Sequence, residues 1–124
     1  MLGFRKKARV LLLDDDASMQ RLVSALLKRE GYRVTVVDKG LGAIDALKKT
    51  KFNVIILDLM MPHEGGMTVI RHLREHDPDL LKRVILLTAA PAAVLKSMES
   101  DVFALVPKPF EAAVLIETVK RATV

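Results

Sequence analysis

Five short apolar runs alternate with five amphipathic stretches along this chain, and few architectures accommodate that order. The apolar runs fall near Arg9–Leu13, Arg33–Val37, Val54–Leu57, Val84–Leu87 and Phe103–Val106. Unbroken Val/Ile/Leu runs, rather than apolar/polar alternation, mark strands covered on both faces. The stretches between them carry helical spacing. Met19, Leu22, Val23, Leu26 and Leu27 share one face, and Gly31 follows as a C-terminal cap. Ala43, Ile44 and Leu47 point inward from a helix over about Leu41–Lys49, and Ile70 and Leu73 do so from one over Gly66–Glu75 that Pro78 closes. A short helix is predicted near Ala92–Met98, and a last one begins at Phe110-Glu111 with Leu115, Ile116 and Val119 buried. Short connections in a strand–helix alternation force parallel strands and right-handed crossovers. The expected fold is therefore α/β, a single (βα)5 doubly wound parallel sheet with helices on both faces.

The 124 residues suffice for one core, and the absence of cysteine excludes disulfides and thiolate metal sites. No segment approaches the roughly 18–20 apolar residues of a membrane span. Val10–Leu13 is too short for the apolar part of a signal peptide despite the basic residues before it. A soluble, cytoplasmic protein with no membrane partner is expected. The net charge of +5 comes from lysines and arginines scattered over helices and both ends, without interleaved aromatics. Arg5-Lys6-Lys7-x-Arg9 is the one dense run, so nucleic-acid binding through this domain is not expected. There is no internal repeat, low-complexity tract or linker.

The chemistry lies where strands stop. The run Asn53–Leu57 ends abruptly in Asp58, and Val10–Leu13 runs straight into Asp14-Asp15-Asp16. Open α/β sheets bind ligands at the carboxyl edge, and clustering unpaired acids there for packing alone is costly. A divalent cation relieves that repulsion. Thr88 and Lys108 follow the fourth and fifth strands, so Asp14, Asp15, Asp58, Thr88 and Lys108 share one edge. Each suits phosphoryl transfer. Magnesium takes oxygen ligands, and Asp15, Asp58 and the Met60 backbone carbonyl supply half a shell, with Asp14 acting through a water. A carboxylate is also a competent nucleophile for an aspartyl phosphate. Magnesium, the Lys108 ammonium and the Thr88 hydroxyl would stabilise the charge developing on the transferred group.

Leu13-Asp14-Asp15, Asp58-Leu59-Met60-Met61-Pro62 with Gly66, Leu87-Thr88-Ala89 and Lys108-Pro109-Phe110 stand in an order and spacing that is highly specific. Over nearly its whole length the chain resembles the receiver domain of bacterial two-component response regulators. The resemblance implies a flavodoxin-like strand order 2-1-3-4-5 and a cis peptide before Pro109. It implies that Asp58 is the phosphoacceptor, Asp14 and Asp15 hold magnesium, Thr88 binds a phosphoryl oxygen and Lys108 contacts the phosphate. The implied partner is a histidine kinase or histidine phosphotransfer protein, with at most a weak homodimer. Residues 1–124 then form one receiver domain with no output domain visible. Its only chemistry would be self-catalysed phosphotransfer and slow autodephosphorylation.

Three features depart from the family pattern. Leu105 stands where many receivers carry Tyr or Phe, the interval from Thr88 to Lys108 is short, and Gly65-Gly66 loosens the turn after the third strand. Two other functions compete. Leu11–Ser18 also resembles the opening of haloacid-dehalogenase-type phosphatases, with Asp14 as nucleophile and Asp16 as general acid, but that leaves Asp58 and Lys108 unexplained. Leu105 and a shortened fourth helix favour a phosphorylation-independent interaction domain. His72 and His76 have the spacing of a helical metal pair but lack a third ligand, so both are read as surface residues, and His63 as a loop residue.

Overall fold

The computed structural model describes residues 7–62 and 65–124. His63, expected in a loop, lies outside the described residues, as do Arg5 and Lys6 of the basic run. Strands β1 (Arg9–Leu13), β2 (Arg33–Val37), β3 (Val54–Leu57), β4 (Val84–Thr88) and β5 (Ala104–Pro107) form one sheet. Every pairing is parallel and the order is β2-β1-β3-β4-β5. Helices α1 (Ala17–Arg29), α2 (Gly40–Lys49), α3 (Gly66–His76), α4 (Ala92–Met98) and α5 (Ala112–Ala122) make the crossovers. All strands thus begin, and all these helices end, at one edge of the sheet.

Two cores form because each inner strand alternates its side chains between the faces. Leu11, Leu13, Ile55, Leu57 and Leu86 pack with Val69, Ile70 and Leu73 of α3 and Ala43 of α2. Val10, Leu12, Ile56, Ile85 and Leu87 pack with Val23 and Leu27 of α1 and Leu115 and Val119 of α5. Strand β2, at the sheet's margin, is only partly covered.

The ends of α1 follow from local chemistry. Asp16 caps its start, with Oδ1 accepting from the amides of Ser18 (2.8 Å) and Met19 (3.1 Å). At its end the Gly31 and Tyr32 amides donate to the carbonyls of Lys28 and Leu27, with Gly31 at φ +92°. This paired closure needs a left-handed residue, which glycine adopts without penalty.

Several expectations shift. Leu22 stands 47% exposed rather than on the buried stripe of α1, because the sheet covers a narrower face centred on Val23 and Leu27. Pro78 does not simply stop α3 but opens a 3₁₀ segment, Pro78–Arg83, that leads into β4. The last helix starts two residues late, at Ala112, with Glu111 at its cap position. The fourth helix is short, as the interval predicts, and Pro91 precedes it. The Lys108-Pro109 peptide is cis.

Candidate functional site

Two strand ends, those of β1 and β3, deliver the acids. The Asp14 amide donates to the Val37 carbonyl (3.2 Å) and the Asp58 amide to the Leu13 carbonyl (3.1 Å), so both residues extend the sheet's ladders by one step. Their side chains are consequently held inside, 1% and 5% exposed, whereas Asp15 points outward. Carboxylate oxygens of Asp14, Asp15 and Asp58 lie within 4.8 Å of one another.

Lys108 reaches this group from the end of β5. Its Nζ donates to Asp14 Oδ2 at 2.8 Å and to Asp58 Oδ2 at 3.2 Å. Burial by itself would lower the lysine's pKa. The hydrogen bonds to and charges of Asp14 and Asp58 together outweigh that cost and hold it above its ordinary value. The ammonium is the cation that keeps two buried acids compatible with folding.

Thr88, fully buried at the last position of β4, donates from Oγ1 to Asp58 Oδ1 at 2.7 Å. The Leu59 and Ala90 amides donate to that same hydroxyl at 3.3 Å each. The hydroxyl proton is therefore directed at the carboxylate. The Met60 amide adds a second bond to Asp58 Oδ1 at 2.9 Å, folding the loop back over the acid. All six residues expected at the site, Asp14, Asp15, Asp58, Met60, Thr88 and Lys108, are thus brought to one edge of the sheet.

Further contacts had no sequence signal. Gln20 donates from Nε2 to the Asp14 carbonyl at 2.6 Å, pinning the first acidic loop from α1. A glutamine one turn into a helix looks like any solvated residue until the fold places it. Gly66, expected to loosen its turn, does the reverse. Its amide donates to the Asp58 carbonyl at 2.9 Å, and a Cβ there would lie 2.7 Å from that oxygen. Asp16 is occupied as the cap of α1, which removes the general acid that a dehalogenase-type reading requires. His72 and His76 pack ring to ring on α3 with centroids 4.5 Å apart, His72 half-buried rather than fully at the surface. Burial first, and the neighbouring His76 and Lys48 after it, lower the His72 pKa.

Residues 10–120 match the family model described as the response regulator receiver domain. The chain is 32% identical over 116 residues to the response regulator receiver protein CpdR of Brucella abortus, covering 91% of this chain and 94% of that protein. It is 33% identical over 119 residues to the uncharacterized transcriptional regulatory protein YkoG of Bacillus subtilis, covering 94% of this chain. That match spans only 51% of YkoG, about half its length. Among solved structures, the receiver domain of the sensor histidine kinase PA1611 from Pseudomonas aeruginosa superposes with a TM-score of 0.83 at 25% identity, covering 95% of this chain and 98% of that one. That structure has a magnesium ion coordinated in its active-site cleft. With the strand order, the acidic pocket and these matches in agreement, the chain belongs to the response regulator receiver family of two-component systems.

Proposed function

We propose that Asp58 accepts a phosphoryl group from a phosphohistidine of a histidine kinase or phosphotransfer protein. The observation that carries this is the Asp58 carboxylate itself, held in place from two sides. Thr88 Oγ1 and the Met60 amide fix Oδ1, while Lys108 Nζ stands against Oδ2. A carboxylate so restrained presents a lone pair in a fixed direction, which lowers the entropic part of the barrier. A new O–P bond forms as the P–N bond of the donor breaks, and the electron pair returns to the imidazole nitrogen.

Asp14, Asp15 and Asp58, with the Met60 carbonyl, would hold magnesium. An oxygen-only set with converging acids fits that hard cation, and the lack of cysteine removes the softer alternatives. When bound, magnesium neutralises charge on the pocket acids and on the phosphoryl oxygens. Lys108 then changes partner. Its ammonium, which bridges Asp14 and Asp58 at rest, lies close enough to transfer one bond to a phosphoryl oxygen on Asp58. The Thr88 hydroxyl makes the parallel exchange, from carboxylate oxygen to phosphoryl oxygen.

Incubation with acetyl phosphate or phosphoramidate, followed by intact-mass analysis, tests the assignment. Phosphoryl addition should require magnesium and vanish in Asp58→Asn. Modification that persists in Asp58→Asn but is lost in Asp14→Asn would place the nucleophile on the first strand instead. No modification of the wild-type chain in either reagent would support the phosphorylation-independent function.

A further inference from the structure

The fold collects at one edge of the sheet the positive charge that the sequence scatters. Arg9 and Arg33 open β1 and β2, are register partners and are both exposed. Lys51 lies just before β3, and Arg83 immediately before β4. The last turns of the helices bring Lys28 and Arg29, Lys48 and Lys49, and Lys120 and Arg121 to the same edge. Basic residues in last helical turns are ordinary complements to the carbonyl ends of helices. Arg9, Arg33 and Lys51 have no such excuse, because strands carry little net dipole. Among the described residues, Lys7, Arg9, Arg33, Lys51 and Arg83 have no acidic partner within 4.0 Å, whereas Lys49, Arg74 and Lys120 do. An open cleft of about 990 Å³ lies here, lined in part by Lys7, Arg9, Lys51 and Arg83, with Glu30 and Asp77 the acids in its wall.

We propose that this basic edge docks on an anionic lipid bilayer surface. The choice over nucleic acid rests on what the edge lacks. The N-termini of α1 to α5, whose amides grip phosphates at fixed positions, lie at the opposite edge. Of the aromatic side chains lining the cleft, Phe52 is buried and Tyr32 half-buried, so no free ring is offered to a base. What remains is a set of long basic side chains, of which Arg9, Arg33 and Lys51 have no acidic partner within 4.0 Å among the described residues. That matches a fluid plane of headgroups better than a rigid ladder of phosphates. No helix among the described residues is long and apolar enough to cross a membrane, so the contact is peripheral. The docked orientation leaves the Asp58 pocket, at the far edge, facing solution.

Co-sedimentation with vesicles of equimolar phosphatidylcholine and phosphatidylglycerol tests this, with phosphatidylcholine alone as control. Binding should appear only with the mixed vesicles and disappear as salt shortens the screening length to about 3 Å at 1 M. The triple variant Arg9→Glu/Arg33→Glu/Lys51→Glu should bind roughly a hundredfold more weakly, taking about fivefold per cation. Arg21→Glu/Lys39→Glu/Arg71→Glu changes the net charge equally away from this edge and should lose far less. If the first triple variant does not fold, Arg9→Gln/Lys51→Gln serves, with a loss of roughly twentyfold. Absence of binding, equal binding to phosphatidylcholine alone, or equal losses in the two triple variants would overturn the proposal. So would tighter binding to duplex DNA than to vesicles with the same dependence on Arg9, Arg33 and Lys51.

Discussion

The ammonium of Lys108 pairs with Asp14 and Asp58 and makes both tolerable inside the fold. The proposed transfer asks something opposed of it, freedom to turn to the phosphoryl group. Lys108→Met should therefore lower stability as well as phosphoryl uptake, because it strands two buried carboxylates. The sign of the pH dependence follows from a lysine pKa that is raised on folding. Its contribution is fully present below the ordinary lysine value and is lost as pH rises through the folded value. The gap in melting temperature between wild type and Lys108→Met should hold steady at neutral pH and close only in strong alkali. Met60 sets a different limit. Its amide holds Asp58 while its side chain stays 57% exposed, and Ala90, whose amide donates to the Thr88 hydroxyl, is buried. Neither side chain can orient an attacking water, so the acyl phosphate should hydrolyse slowly. Met60→Asn should accelerate loss of the phosphoryl group by about tenfold or more, followed by intact mass over time, and an unchanged rate would show that water access is governed elsewhere.

At the scale of elements, the connection between α3 and the acid leaves no space for a side chain at Gly66. Gly66→Ala would push a Cβ to 2.7 Å from the Asp58 carbonyl and 2.9 Å from Leu59. Overpacking of this kind costs ~1–3 kcal/mol, and thermal melts should fall by several degrees with phosphoryl uptake reduced. Sequence reasoning missed this, since two adjacent glycines look permissive until one of them is found against a backbone oxygen. It succeeded where period and punctuation agree. The inner strands, β1, β3 and β4, are continuous apolar runs, and the carboxylates that follow β1 and β3 could be placed from the sequence. Leu22 shows the converse, since its spacing fits the stripe of α1 but not the width of the face that the sheet covers. The switch is also a matter of elements. Leu105 packs half-buried against the core on the α3 side, and Thr88 already bonds Asp58. Little room is left for an inward swing. Activation should therefore be read in residues 89–98, the loop and α4, as changed amide exchange on adding beryllium fluoride. Changes confined to residues 103–124 with a tight dimer would mean that β5 and α5 carry the signal.

For the whole molecule, the carboxylate cluster is a stability cost that a cation binding only the folded state relieves. Magnesium at about 100 times its dissociation constant should add roughly 2.7 kcal/mol, seen as a rise in melting temperature that Asp14→Asn and Asp58→Asn diminish. The chain matches almost the full length of CpdR but half of YkoG. The same domain is thus compatible with working alone or with carrying further segments. The acids at strand ends were legible in the sequence, whereas the gathering of Arg9, Arg33, Lys51 and Arg83 at the opposite edge emerges only from the parallel topology. That separation of side-chain charge gives the molecule an electric moment along its strands, which the helix dipoles, positive at the acidic edge, partly offset. A charged surface or partner exerts a torque on it before contact, over a distance of about 8–10 Å in physiological salt. On the proposed function, phosphorylation would increase that moment and magnesium would reduce it, so the state of the pocket would alter how the molecule aligns as it approaches.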